Sequence, residues 1–446
     1  MGYIKYIYVF LVSINFIVCA YLENIPVKLT QPDGTLINCL TSGDEYYHYL
    51  HDNLGYTILQ NQEDGYYYYA IKNNDNLRPS IYLVNSINPE NVGLEKKVMI
   101  SSDEYKLRRN SYWEDVEYRD APTLGTVNNL NVFIRFDGEE EFPNSRSYYD
   151  IPFNDSDGPS MLHYFEEVSY NLLTVNTFHY PYCDPSINIS YQDEYPRDYY
   201  KPYNQETNPI GYENDNQSRS REHVLLKNAI DFISGDVPED LDIDSNNDGY
   251  VDNVTFLVRG IPGAWADLLW PHRWALYSEE AYINGSRVYD YNLNLEQGGY
   301  FTVGTLCHEF FHSLGAPDLY HYWDDVAPVA VGGWDVMDAS SDTPQSMTAY
   351  MKYKYTDWIT DLPVLTDGGT YEINPLSNPI NNIYRINSPI SNEYFVVEYR
   401  VKEGIYEVNT PGGDNGMLIY RVNDSLNGNA DGPPDELSIY IDLMEL

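Results

Sequence analysis

The run His308-Glu309-Phe310-Phe311-His312, followed by Gly315, Pro317 and Asp318, restricts this chain more than any other stretch. On an α-helix, residues four apart share a face, so the two imidazoles aim at one point. Nitrogens converging in that way suit a zinc ion, which they ligate at about 2.0–2.1 Å. Glu309 lies about 100° round the helix from His308, placed to reach a water on the metal without ligating the metal itself. A catalytic zinc needs a third protein ligand and an open position. Gly315 can take the left-handed conformation that ends a helix, and Pro317 cannot continue one, so the chain turns back and delivers Asp318. No Glu occurs between Glu309 and Glu372, which leaves no nearby donor for the arrangement that takes a Glu from a later helix. His321, Asp324 and Asp325 compete with Asp318 for the third position; Asp318 is the expected ligand. The plainer alternative is a buried amphipathic helix whose histidines only form hydrogen bonds.

The run HEFFHSLGAPDLY, with Gly333-Trp334-Asp335-Val336-Met337-Asp338 beyond it, resembles the immune-inhibitor-A-like group of secreted metalloendopeptidases. That group is related to the metzincins, in which the extended zinc motif precedes a methionine turn under the metal. By that resemblance Met337 is the turn methionine; a Met among apolar residues would otherwise read as core packing. Some metzincins carry a Tyr two residues after that Met, where this chain has Ala339, so no oxyanion-stabilising Tyr carries over. The resemblance spans most of the chain, including 393–400 and 417–422, but only 304–338 is chemically specific.

With 446 residues, two or three domains are expected. The 68 acidic against 26 basic residues give a net charge of −42, which argues against nucleic-acid or anionic-membrane binding. The same balance suits an extracellular protein that collects calcium. Residues 1–20 read as a secretory signal, with Lys5, an apolar run from Ile7 to Val18, and a small-residue site at Val18-Cys19-Ala20. Cys19 raises a lipoprotein alternative, which the bulk of Val18 disfavours. No other stretch approaches the ~20 apolar residues of a membrane span, so no stable membrane anchor is expected. Loss of the signal leaves Cys39, Cys183 and Cys307, enough for one disulfide, with Cys39–Cys183 a candidate pair. N-x-S/T sequons occur at Asn154, Asn188, Asn216, Asn253, Asn284 and Asn423.

Residues 21–109 carry short β-type runs at Pro26–Gly34, Gly55–Leu59 and Gly65–Ala70, punctuated by glycine turns. The resemblance implies that this region is a pro-segment. Lys96-Lys97 and Arg108-Arg109 are dibasic pairs open to an activating protease, with the second the preferred boundary. Cys39 is a candidate to block the zinc before cleavage, against the commoner role of a small buried hydrophobe.

Residues 110–365 read as the catalytic domain, with strands at 131–136 and 254–258, amphipathic helices over 160–173 and 221–234, and the metal helix at about 301–315. Asp244, Asn246, Asp248, Tyr250 and Asp252 occupy the spacing of an EF-hand-like calcium loop, with Gly249 at the sixth place. Thr255 stands where such a loop has its bidentate Glu; the alternative is a turn held by its own side chains. His272, between Trp270 and Trp274, reads as a packing residue. Residues 366–446 suggest a mainly β domain, with strands at 370–373, 382–386, 394–399 and 416–422.

The expected fold is an α/β zincin-like (metzincin-like) catalytic domain between an N-terminal pro-segment and a C-terminal β domain. The expected function is that of a secreted zinc endopeptidase made as a zymogen, acting on protein or peptide substrates. Glu309 is its general base, and His308, His312 and Asp318 bind the metal. The alternatives are a zinc amidase of non-protein substrates and an inactive binding module; the intact Glu309 speaks against the latter.

Overall fold

A computed structural model describes residues 22–44, 46–73, 76–113, 116, 120–260, 270–297, 301–320, 330–339, 341–429 and 439–441. The signal segment at 1–20 and the competing ligands His321, Asp324 and Asp325 lie outside the described residues.

Six antiparallel strands in chain order open the fold: β1 (Leu22–Thr30), β2 (Leu36–Gly43), β3 (His48–His51), β4 (Thr57–Gln60), β5 (Tyr67–Asn73) and β6 (Asn76–Leu83). Alternate residues point inward, and Val27, Leu29, Ile37, Cys39, Leu50 and Ile58 make one apolar cluster. The sheet meets the rest of the chain where the His48 ring stacks on Trp270, centroids 4.7 Å apart, and where Ile25 enters the central core. Helix α1 (Ser102–Trp113) follows. Arg108 and Arg109 therefore sit inside a helix, whereas Lys96 and Lys97 lie in an exposed bend.

The central sheet contains β7 (Gly125–Arg135), β8 (Leu173–Tyr180), β9 (Tyr191–Gln192), β10 (Val254–Val258), β11 (His272–Ala275) and β14 (Asp290–Leu295). A small hairpin, β12 (Ala281–Ile283) with β13 (Ser286–Val288), lies outside it. The order is β11-β14-β10-β7-β8, with β9 beside β7 and only the edge strand β11 antiparallel to its neighbour. Every residue of β10 is buried, as befits a strand covered on both faces. Leu130, Val132 and Ile134 of β7 pack with Leu226, Ile230 and Ile233 of α4 (Asp215–Ile233). The opposite face carries α2 (Arg146–Asn154), α3 (Met161–Val168) and α5 (Val303–Ser313).

Several expectations shift at this level. The helix expected over 160–173 stops at Val168, because Tyr170 and Asn171 both take φ of +61°. Helix α4 starts earlier than expected, where Asn214 Oδ1 accepts the Gln217 amide at 3.1 Å. No strand forms at 370–373, where the Glu372 carbonyl accepts from the side chains of Asn381 and Tyr384 rather than from a ladder.

After α6 (Ala349–Lys354) come β15 (Ile383–Asn387), β16 (Glu393–Arg400), β17 (Gly416–Asn423) and β18 (Ile439–Tyr440), an antiparallel sheet in that order. Its inner residues Tyr394, Val396, Tyr420 and Val422 share one apolar cluster with Leu306, Phe310 and Phe311 of α5. Mixed α/β content with several sheets and few helices describes the whole. Among the described residues, no helix is long and apolar enough to cross a membrane.

Candidate metal centre

Helix α5 begins where Thr302 Oγ1 accepts the Thr305 amide at 3.0 Å and ends as its sequence requires. Gly315 takes φ of +95°, its amide bonds the His312 carbonyl, and the Ala316 amide bonds that of Phe311. That pair of bonds is a Schellman end, which turns the chain back along the helix. A side chain at Gly315 would be strained by the positive φ, and its Cβ would crowd the Asp120 carboxylate at 3.1 Å.

The turn places three ligand atoms together. His308 Nε2 and His312 Nε2 are 3.0 Å apart, and Asp318 Oδ1 is 3.0 Å from the first and 3.2 Å from the second. Among the described residues, this is the group of His, Cys, Asp or Glu side chains able to hold a metal ion. His308 Nδ1 faces the Val336 carbonyl at 2.9 Å, and His312 Nδ1 faces that of Ala316 at 2.7 Å. A carbonyl only accepts, so each Nδ1 carries the proton and each Nε2 turns a lone pair inward.

Two lone pairs and a carboxylate oxygen at these separations repel one another unless positive charge lies between them. Burial disfavours charge on His312, but the Asp318 carboxylate outweighs it and lifts that imidazole to about 9. Burial would likewise raise Asp318, yet the His312 and His308 rings hold it well below the usual carboxylate range. A metal ion answers the same demand better than one proton, which bonds along a single line. Three ligands at zinc distances in a tetrahedral arrangement stand roughly 3.3–3.4 Å apart, close to the separations found. His308 is fully buried while the His312 side chain is 14% exposed, so the centre has an approachable side.

Glu309 is 1% exposed, and its Oε1 has no hydrogen-bond partner among the described residues. Burial pushes its carboxyl up, against the opposing pull of His308 and His312. A buried carboxylate left with an open acceptor is what a general base beside a metal site needs. Met337 is fully buried, and its carbonyl accepts from the Leu319 amide at 2.9 Å.

Residues that the sequence did not single out hold the helix on the sheet. Asn292 Nδ2 donates to the Glu309 carbonyl at 2.9 Å, and Ser313 Oγ donates to Asp290 Oδ2 at 2.6 Å. Asp290 in turn pairs with Arg273. The only sequence signal for these is polar residues alternating with apolar ones in Asp290-Tyr-Asn-Leu-Asn-Leu295. His272 is a packing residue, with Nε2 on Glu222 at 3.0 Å and Nδ1 on the Trp270 carbonyl at 2.7 Å.

The residues of the expected calcium loop hydrogen-bond to one another and to their neighbours. Asp244 accepts the Asp248 and Gly249 amides and the Ser286 hydroxyl, and Asn246 accepts Asp248. Asp248 accepts Tyr250, and Asp252 accepts Ser245. Asn246, Asp248, Tyr250 and Asp252 line a small cavity with Asp120 and Asp290, while Asp244 faces the turn. Burial, with Asp244 and Asp242 nearby, lifts Asp252 to about 6.

Cys39 is not at the centre. It lies 3% exposed inside the N-terminal sheet, its Sγ is 3.7 Å from the Val27 carbonyl, and burial pushes the thiol up to about 12. Its sulfur is held within its own sheet and is not among the converging ligand atoms. Cys39, Cys183 and Cys307 are all free thiols, so the candidate Cys39–Cys183 bridge is absent. Compared with known proteins, the chain matches no family model, and no curated protein matches it.

Proposed function

We propose that this chain is a secreted zinc-dependent endopeptidase of the metzincin-related, immune-inhibitor-A-like kind, made as a zymogen. The observation that carries this reading is the convergence of His308, His312 and Asp318 to 3.0–3.2 Å, beside a buried Glu309 oxygen that has no partner among the described residues. His308, His312 and Asp318 would hold the ion. Zinc, when bound, supplies Lewis acidity toward a substrate carbonyl and makes water more acidic.

The chain's own groups do the rest. The Glu309 carboxylate accepts a proton from water as the water oxygen bonds to the carbonyl carbon. It then returns that proton to the amine nitrogen as the C–N bond breaks. Burial serves this role, because a raised pKa brings the carboxyl nearer to the pH at which it must both take and give a proton. Latency is assigned to the N-terminal sheet docked through His48 on Trp270, not to Cys39.

The test is digestion of casein by the processed protein, with and without a zinc chelator. Glu309→Gln should retain zinc yet lose at least ~10²-fold in rate. Full activity of the zinc-loaded variant would sink the assignment. Cleavage of non-peptide amides with casein left intact would favour the amidase reading instead.

A further inference from the structure

The third ligand is the one residue of the triad that no regular element carries, because Asp318 lies in the coil after α5. Its backbone is fixed from two sides. On one side the Leu319 amide donates to the Met337 carbonyl at 2.9 Å. On the other stands Asn429, over a hundred residues further on and fully buried. The Asn429 amide donates to the Asp318 carbonyl at 3.0 Å, and its Nδ2 donates to the Leu319 carbonyl at 2.7 Å. The same side chain is anchored to β18, with Nδ2 donating to the Ile439 carbonyl at 2.9 Å and Oδ1 accepting the Ile439 amide at 3.0 Å. Both Nδ2 protons and the carbonyl oxygen are thus engaged, which fixes the orientation of the amide.

The residue before it shows how closely the two segments meet. Gly428 has φ of +75°, and a Cβ there would lie 2.7 Å from the Asp318 carbonyl oxygen and 2.8 Å from Pro317 Cβ. Only glycine lets the chain approach the ligand loop so closely.

We propose that Asn429, seated by Gly428, is a positioning residue of the metal centre that holds the Asp318 peptide at ligating distance and ties it to the C-terminal sheet. The inference rests on the metal-centre reading given above. Metal–ligand distances tolerate about ±0.2 Å, so a peptide free to drift by more than that releases its carboxylate from the ion. Outer partners of this kind typically contribute 10–100-fold in metal affinity, by the ~10–100-fold losses seen when they are removed. Asn429→Asp is the sharpest change, since it keeps shape and the Ile439 acceptor but turns an oxygen toward two carbonyls. Gly428→Ala tests the same contact by pushing the Asp318 carbonyl away.

The experiment measures zinc affinity of the full chain by competition with a chromophoric chelator, alongside the melting temperature of the zinc-stripped protein. Asn429→Asp and Gly428→Ala should each weaken zinc about 10–100-fold. Ile439→Ala, which loosens the packing of β18 but keeps the Asn429 bonds, should lower the melting temperature and leave zinc affinity within about twofold, inside the error of a non-specific effect. If Asn429→Asp does not melt cooperatively, Gly428→Ala decides alone. Wild-type affinity in the folded variants, or an equal loss in Ile439→Ala, overturns the proposal while leaving the centre intact. A wild-type chain that binds no zinc overturns the metal reading and this inference with it.

Discussion

His308 Nδ1 lies 2.9 Å from the carbonyl oxygen of Val336, 28 residues along the chain. The next carbonyl, that of Met337, accepts from the Leu319 amide at 2.9 Å. One turn therefore orients one candidate ligand through its ring and another through its backbone. Asp335 shapes that turn, its carboxylate accepting the Met337 amide at 2.9 Å and the Thr348 amide at 2.6 Å.

Because the turn acts through its backbone, the Met337 side chain should be replaceable by one of similar volume. Met337→Leu is expected to cost less than about 1.5 kcal/mol and to keep zinc. Met337→Ala should cost about 2–5 kcal/mol, since the residue is fully buried and leaves a cavity. Urea unfolding with parallel zinc assays checks both. Loss of zinc from a stable Met337→Leu protein would show that the sulfur itself matters.

At the acidic loop, Asp244 caps two amides and a hydroxyl, so Asp244→Ala should destabilise the chain by roughly 1–3 kcal/mol. Calcium is expected to raise the melting temperature through binding to the folded state, and Asp248→Ala to abolish that rise. A wild-type melting temperature indifferent to calcium would leave the loop as a polar turn alone.

The candidate ligands were legible because helical spacing, a glycine stop and a proline each constrain the backbone locally. His308, Glu309, His312 and Asp318 follow from those three constraints, and the structure brings the three ligand side chains together. What holds them was not legible. Asn429 sits in a stretch rich in Asn, Gly, Asp and Pro that reads as a loop, and its partners are set only by the tertiary fold. Cys39 is a related case: its buried place in the N-terminal sheet is the commoner role of such a residue, and a lone Cys in an apolar run carries no sequence mark separating it from a metal-blocking thiol. The strand β14 was missed because polar residues alternate along it, with Asp290 and Asn292 bonded to Ser313 and Glu309 of α5.

Limited proteolysis should separate the two dibasic pairs. A protease must draw about a dozen residues into extended form, which a helix resists and an exposed bend allows. Arg108 lies within α1 and pairs with Glu104 at 3.2 Å, whereas Lys96 and Lys97 are exposed outside any helix. Trypsin at low dose is expected to cut after 96 or 97 before 108 or 109, as read by mass spectrometry of the first fragments. First cleavage at 108 or 109 would mean that α1 unravels readily.

The last prediction concerns acid stability and a histidine outside the candidate metal triad. His223 is fully buried in α4, with its ring 4.9 Å from Trp274 and 4.8 Å from Tyr277. Its Nδ1 meets Ser278 Oγ at 2.6 Å, and its Nε2 has no partner among the described residues. Burial pushes the imidazole from 6.5 down to about 4; Glu222 opposes this, and His272 and Arg219 reinforce it. The unfolded chain therefore takes up a proton near pH 6.5, whereas the folded chain resists it until about pH 4. Between those values the unfolded state binds more protons, so stability falls as pH falls. The loss attributable to His223 between pH 7 and pH 5 is roughly 2 kcal/mol. His223→Phe keeps the ring and removes the titration. Urea unfolding of the zinc-stripped proteins at the two pH values should show the wild type losing about 2 kcal/mol more than the variant. Parallel pH profiles would mean that His223 is protonated in the folded protein, and that its unpaired Nε2 finds an acceptor there.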